Sequence, residues 1–322
     1  MPSTVPSTVV ESRALAALIA AEVKQARQFA EAQHAASTRR AYESDWRIFA
    51  AWCEARGTDA LPAAPEVVAT FLAAQASSGV RASTLGRRVA AIRYAHAVRG
   101  VESPTTAAVV KATLRGIRRT IGTAPHQKAA LTADRLLTII QHVPATLQGQ
   151  RDRALLLLGF AGAFRRSELA ALQVEDLEEV EDGLRVRVRQ SKSDQEAAGC
   201  VIPVIRGERA CPVTAVRAWL EAAAITEGPV FRRMAKGGRV LPTALTPYSV
   251  GLIVKAAAAR AGFDPTEFGG HSLRAGFATS AALAGRSLFR IMDVTRHKRT
   301  DTLRGYVRRA EEFRDHAGAG LL

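Results

Sequence analysis

Leu184-Arg185-Val186-Arg187-Val188-Arg189 alternates apolar and basic residues at a period of two, the pattern of a strand with one apolar and one basic face. Asp182-Gly183 before it supplies a turn, which makes Leu177 to Val180 its hairpin partner. After a polar loop, Ser191 to Gly199, the run Cys200 to Ile205 reads as a third short strand. Around this sheet the period is helical. Thr132 precedes a helix with Leu136, Leu137, Ile140 and Val143, and Arg151 to Phe164 reads as a largely buried helix. Pro247 to Ala261, His271 to Ala284, Ser287 to Val294 and Thr300 to about His316 complete the expected helices. The C-terminal part is therefore expected to be α+β, mostly helix with a small antiparallel three-stranded sheet.

Upstream the pattern is helical throughout. From Ser37 an apolar stripe of Tyr42, Trp46, Phe49 and Cys53 runs along one helix, which Gly57 ends. A second helix follows Pro65. Ser83 is expected to cap a third, with Leu85, Val89, Ile92 and a partly buried His96 on one face and Gly100 as its stop. Arg81 to Arg119 holds nine basic residues against one acid, Glu102, a one-signed surface on a small helical domain. Ile121 to Ala130 lacks apolar periodicity and reads as a linker. The expected organisation is a 1–33 extension, a helical domain over 34–120, the linker 121–130 and a second domain over 131–322, mainly α overall.

The 322 residues suit two domains, and 48% hydrophobic with 23% charged residues is an ordinary globular composition. Lys and Arg number 45 against 30 Asp and Glu, a net charge of +15 that points to a polyanionic partner. The longest strongly apolar run, Ala154 to Phe164, is too short to cross a bilayer, and the N-terminus lacks the basic start of a secretory signal. A cytoplasmic, nucleoid-associated protein with no membrane partner is expected. Cys53, Cys200 and Cys211 form no close Cys-x-x-Cys pair, so they are expected to be packing residues rather than a disulfide framework or zinc site.

Phosphoryl transfer on nucleic acid needs positive charge around the phosphorus, a nucleophile and an acid for the leaving oxygen. The chain shows no carboxylate cluster to hold metal ions, since the acids from Glu175 to Asp182 lie in a hairpin region. No metal or other cofactor is expected, and arginines would supply the charge through their planar, permanently charged fork. Arg165 directly follows a buried apolar helix, and Arg274 lies three residues after His271 on one helical face. Of the four tyrosines, Tyr306 sits among Arg296, Lys298, Arg299, Arg304, Arg308 and Arg309, where a phenolate would be stabilised and a phosphate attracted.

Ala163-Phe164-Arg165-Arg166-Ser167-Glu168-Leu169, Lys192 between two strands, His271-Ser272-Leu273-Arg274, His297 and, nine residues on, Tyr306 together resemble the tyrosine recombinases, or phage integrases. The resemblance covers roughly Ala130 to Arg309, and the preceding segment resembles that family's SAM-like core-binding domain. It implies that Arg165 and Arg274 clamp the scissile phosphate and that Tyr306 attacks it to form a 3′-phosphotyrosyl intermediate. It further implies that Lys192 protonates the leaving 5′-oxygen, that His271 accepts a proton or binds phosphate, and that His297 bonds a phosphate oxygen. Glu168 would hold the geometry of these groups. In the Arg165-Arg166 doublet the family pattern Arg-x-Ser-Glu-Leu selects Arg165. The family commonly has a Gly before this histidine, where this chain has Arg296.

The implied partners are double-stranded DNA carrying paired specific sites and further copies of the chain, four protomers exchanging strands through a Holliday junction in recombination or integration of a mobile element. Arg87, Arg88 and Arg93 are expected to touch phosphates, since positioning contacts outnumber base contacts. A basic loop of Arg232, Arg233, Lys236 and Arg239 is a further candidate. A type IB topoisomerase uses similar residues to relax supercoils, and a non-catalytic DNA-binding regulator could share the fold. The joint presence of Arg165, Lys192, His271, Arg274, His297 and Tyr306 argues against the regulator, which has no physical need of all six.

Overall fold

The computed structural model describes residues 35–124, 128–190, 199–297, 299–300, 303 and 305, with the single positions 22 and 25 upstream. The expected N-terminal extension, the loop carrying Lys192 and the tail carrying Tyr306 fall outside these residues, apart from such single positions. The chain divides into two compact units, residues 1–125 and 126–322.

The first unit holds α1 (Ala36–Glu54), α2 (Pro65–Ser77), α3 (Ala82–Val98) and α4 (Ala108–Ile121). Phe49, Cys53, Phe71, Leu72, Leu85 and Ile92 meet in its core. The α1 stripe thus faces inward as its spacing predicts, with Trp46 packed against the same cluster. Three details differ from the sequence reading. Helix α3 starts at Ala82 after Arg81 and has no side-chain cap, so Ser83 lies inside it. Helix α4, unpredicted, packs Val110, Leu114 and Ile117 on that core and leaves Lys111, Arg115, Arg118 and Arg119 exposed. His96 is fully buried rather than partly so. The Ala63 N–H donates to its Nε2 at 3.1 Å, so its Nδ1, 2.8 Å from the Ile92 carbonyl, must carry the proton.

A buried carboxylate also reorders the expected DNA-facing arginines. Asp45 is only 2% exposed and must find cationic partners. Arg87 supplies two hydrogen bonds to it, at 2.7 and 3.2 Å, while the Arg88 Nε lies 3.7 Å away. Arg88 is buried, bonds the Gln75 amide oxygen and lies 5.9 Å over the Phe71 ring. The expectation of Arg88 as a phosphate contact is therefore corrected: it belongs to the packing that neutralises Asp45. Arg87 and Arg93 remain exposed, the latter donating to the Thr105 hydroxyl at 3.2 Å.

The second unit comprises α5 (Ala133–Gln141), α6 (Leu147–Ala161), α7 (Arg166–Ala171), β1 (Leu177–Val180), β2 (Gly183–Val188), β3 (Cys200–Ile205), α8 (Pro212–Ala222), β4 (Arg232–Met234), β5 (Val240–Ala244), α9 (Pro247–Arg260), α10 (Ser272–Leu283) and α11 (Leu288–Thr295). Its main sheet runs β1-β2-β3, antiparallel, with Val186 opposite Leu177 on one side and Ile202 on the other. Leu184, Val186 and Val188 are buried and Arg185 and Arg187 exposed, the alternation of the sequence. Helix α6 begins four residues before Arg151 because the Thr146 hydroxyl accepts from the Gly149 N–H and caps it there. The basic loop at 232–239 is instead a hairpin, β4 and β5, with Lys236 exposed at its tip beside Gly237 and Gly238, both at positive φ. Helix α8 went unpredicted although Val213, Val216 and Trp219 line its buried face.

Helices α6 and α10 bring the two arginine motifs together through core packing. Leu155, Leu158, Phe164, Leu169, Phe268 and Leu273 belong to one buried cluster with the sheet residues. A Cβ at Gly276 would sit 1.8 Å from the Leu131 carbonyl oxygen, so only glycine lets α10 approach the chain entering α5 this closely. Of the cysteines Cys53 is buried in the first core and Cys211 packs half-buried against the second, as expected, whereas Cys200 is exposed, which corrects its expected role as a packing residue. Among the described residues no helix is long and apolar enough to cross a membrane.

Candidate active site

The site is built on the reversal that follows α6. Ala163 takes a left-handed φ of 46°, turning Phe164 back into the core and launching Arg165 at the start of α7. Three residues on, the carboxylate of Glu168 reaches back over the helix start. It accepts from the Arg165 backbone N–H at 2.8 Å and from Arg165 Nη1 at 2.7 Å. Glu168 is itself buried, so this bidentate grip on main chain and guanidinium fixes where Arg165 points. The neighbouring Arg166 is exposed and lays its stem against Gly270, so the two arms of the doublet diverge.

Helix α10 brings the second cation. Ser272 is buried and its hydroxyl accepts from the Gly269 N–H at 3.1 Å, anchoring the turn on which His271 stands, exposed, at the helix start. One turn in, Arg274 is 1% exposed and donates from Nη1 to the Ala163 carbonyl at 2.9 Å. The same carbonyl accepts from Arg296 Nη2 at 3.3 Å. A single backbone oxygen in the α6–α7 reversal is thus shared by guanidiniums from two other elements.

His297 completes the cluster after α11. Its Nδ1 lies 2.9 Å from the Thr295 hydroxyl, which donates to the Ile291 carbonyl at 2.7 Å. That hydroxyl proton is committed, so Nδ1 carries a proton toward Thr295 and Nε2 is left as an acceptor in the neutral ring. Burial and then the charges of Arg274, Arg165, His271 and Arg296 push the His297 pKa down to about 4. Because the unfolded imidazole titrates near 6.5, the unfolded chain binds more protons between about 4 and 6.5. Stability therefore falls as the pH is lowered through that window and loses nothing further from this group below it. Thermal melts from pH 7 to 4 are expected to show this loss in wild type, with His297→Asn lacking that component.

Arg165, Glu168, His271, Arg274 and His297 are therefore neighbours, although they come from three separate segments of the chain. Lys192 and Tyr306 lie outside the described residues. Arg296 stood out in the sequence as one of the basic residues around Tyr306 and as a departure from a family pattern, and its part in the cluster was not foreseen. A left-handed helix end was the missing signal, since a residue there turns the following chain inward. Among the described residues no group of three or more His, Cys, Asp or Glu could hold a metal ion. Several guanidiniums and a neutral imidazole around one turn suit an anion with more than one oxygen, such as a phosphodiester.

Comparison with known proteins identifies the class. Residues 129–312 match the phage integrase family and residues 28–99 that family's N-terminal SAM-like domain. The chain is 38% identical over 299 residues to an integrase/recombinase xerD homolog of Selenomonas ruminantium, covering 91% of this chain and 87% of that one. The chain belongs to the phage integrase family and is a tyrosine-type site-specific recombinase. Its fold is shared with a lambda integrase dimer bound to a COC′ core site, at TM-score 0.61 and 17% identity over 91% of this chain and 77% of that one. The Tn1549 transposon integrase in complex with transposon right end DNA matches at TM-score 0.61 and 15% identity, over 91% and 97% of the two chains.

Proposed function

We propose that the protein cleaves and rejoins duplex DNA at paired specific sites through a covalent 3′-phosphotyrosyl intermediate on Tyr306. The observation that carries this reading is the convergence of Arg165, Arg274 and His297 on the α6–α7 turn, with Glu168 fixing Arg165. Arg165 and Arg274 hold the two non-bridging oxygens of the scissile phosphate and stabilise the added charge of the pentavalent state. Neutral His297, and His271 at the exposed rim, complete the ring of contacts, His271 also accepting the proton of the tyrosine hydroxyl. As the Tyr306 oxygen bonds to phosphorus, the bond to the 5′-oxygen breaks and Lys192 delivers a proton to that oxygen. One phosphodiester replaces another, so the energy of the bond is kept and the reverse attack by a 5′-hydroxyl reseals the strand.

The family resemblance further implies four protomers on two sites, exchanging strands in pairs through a Holliday junction, and work on DNA in the cytoplasm and nucleoid. Lys236 on the β4–β5 turn, with Arg87 and Arg93 in the first unit, serves as a phosphate contact. The structural neighbours support DNA as partner: the Tn1549 integrase is in complex with transposon right end DNA and the lambda integrase is bound to a COC′ core site. The test is to incubate wild type and Tyr306→Phe with DNA of the source organism, denature, and sequence what stays attached. Adducts at a few loci in wild type and none in the variant are expected. Dispersed Tyr306-dependent adducts would make the protein a topoisomerase, and no adducts in wild type would reduce it to a binding protein.

A further inference from the structure

Arg296 is held in a way that costs stability. It ends α11 in the left-handed conformation, φ 56° and ψ 40°, where glycine is favoured and an L side chain is strained. Its side chain turns inward to 13% exposure, with the guanidinium 5.4 Å over the Phe164 ring. Burial pushes its pKa down from the ordinary arginine value while Glu168 pulls it back up. Toward the described residues only Nη2 donates, to Glu168 at 2.7 Å and to the Ala163 carbonyl at 3.3 Å. Among the described residues, the buried Nε and Nη1 have no hydrogen-bond partner. A residue kept for packing would not combine a strained backbone with two buried donors unused by the described residues. Such a combination persists where the surrounding site requires the group.

The requirement lies in the charge of the turn that carries Arg165. Glu168 is buried and grips Arg165 through both carboxylate oxygens. A buried carboxylate at this distance cancels most of the guanidinium's field, the same field that must act on a phosphate. A second cation on the same carboxylate restores it. We infer that Arg296 is a positioning residue for DNA cleavage, which shares Glu168 so that the carboxylate can orient Arg165 without neutralising it, and which braces the Ala163 carbonyl in the turn. This rests on the cleavage reading above and deepens it. Arg296 also stands next to His297, whose ring faces Arg165, Arg274, His271 and the Thr295 hydroxyl as well.

The inference is tested with the full-length protein as wild type, Arg296→Lys and Arg296→Met, with Arg296→Gly, which relaxes the left-handed backbone, replacing the methionine variant if that fails to fold. Three quantities are measured: the rate of covalent attachment to DNA of the source organism, affinity for an arbitrary duplex of about 40 base pairs, and the titration of His297 by NMR in the free protein. Removing the charge is expected to slow attachment at least about tenfold, less than the roughly 10²–10³-fold lost with a direct donor to the transition-state charge, because Arg296 acts through Glu168. Lysine should remain within about threefold of wild type, because a point charge still reaches Glu168, and duplex affinity should be unchanged in all. The His297 midpoint should rise from about 4 in the neutral variant and stay in place in Arg296→Lys.

Attachment at the wild-type rate in the neutral variant overturns the inference. So does an equal loss in the lysine and neutral variants that follows their melting temperatures, the mark of a purely structural anchor. Should wild type itself form no Tyr306-dependent adduct, the cleavage reading fails. The His297 titration then judges the charge relation alone: a rise only in the neutral variant supports it, and no rise overturns it.

Discussion

Replacing Arg274 with alanine is expected to lower the rate of covalent DNA attachment by about 10²–10³-fold, the loss seen when one preorganised donor to a developing oxyanion is removed. The effect is large because Arg274 is set in the floor of the site, its Nη1 held by the Ala163 carbonyl, so no reorganisation is needed as charge builds on the phosphate. Water that fills the vacated space cannot replace a fixed cation. Arg274→Lys is expected to recover only part of the loss, since an ammonium cannot bond the carbonyl and the phosphate together in the planar geometry of the fork. The change also removes a buried side chain, so melting temperature and binding to an arbitrary duplex are measured in parallel. Attachment by the alanine variant within tenfold of wild type would remove Arg274 from the clamp.

The largest effect on stability is expected at Asp152 on α6. Arg151 donates from Nε and Nη2 to Asp152 Oδ1, at 3.0 and 2.7 Å, and from Nη1 to the Arg232 carbonyl at 3.2 Å. Both side chains are buried, so the pair ties the central helix to the β4–β5 hairpin inside the core. Burial pushes the Asp152 pKa up, and the Arg151 charge opposes it. Asp152→Ala leaves a buried guanidinium without its counter-charge, which costs about 3–5 kcal/mol. At roughly 2–4 °C per kcal/mol for a unit of this size, the melting temperature should drop on the order of 10 °C. Asp152→Asn should lose less, because its amide oxygen can still accept from Arg151 where Oδ1 does. Calorimetric melts at pH 7 check both, and an alanine variant melting within about 2 °C of wild type would contradict this account of the pair.

How much of this was legible in the sequence depended on whether the cause was local. The alternation from Leu184 to Val188 is a local pattern and folds as read, whereas the helix expected to run to Phe164 stops at Ala161, because the left-handed turn at Ala163 and the short helix from Arg166 leave no apolar period to read. The 232–239 hairpin was taken for a loop because β4 is three residues long with a register shift against β5, too short and irregular to show alternation. Helix α8 could have been found from Pro212 at its start and apolar residues at 213, 216 and 219. Arg88 was misplaced for a different reason. Nothing in α3 tells that Asp45 of α1 lies buried beneath it, so only tertiary packing makes this arginine structural. Arg296 was visible as an unexpected residue. Its inward turn follows from a left-handed helix end that the sequence, lacking the usual glycine, gave no reason to expect.

Everything proposed for the site depends on which atom takes the phosphate. The most direct measurement is to isolate the denatured protein–DNA adduct, digest away the DNA and protein around the linkage, and identify the nucleotide-bearing residue by mass spectrometry. The account predicts a single modified residue, Tyr306, carrying a 3′-phosphate linkage. Attachment at Tyr248, which is 70% exposed at the start of α9, or at any other residue would contradict it, as would a 5′-phosphate linkage.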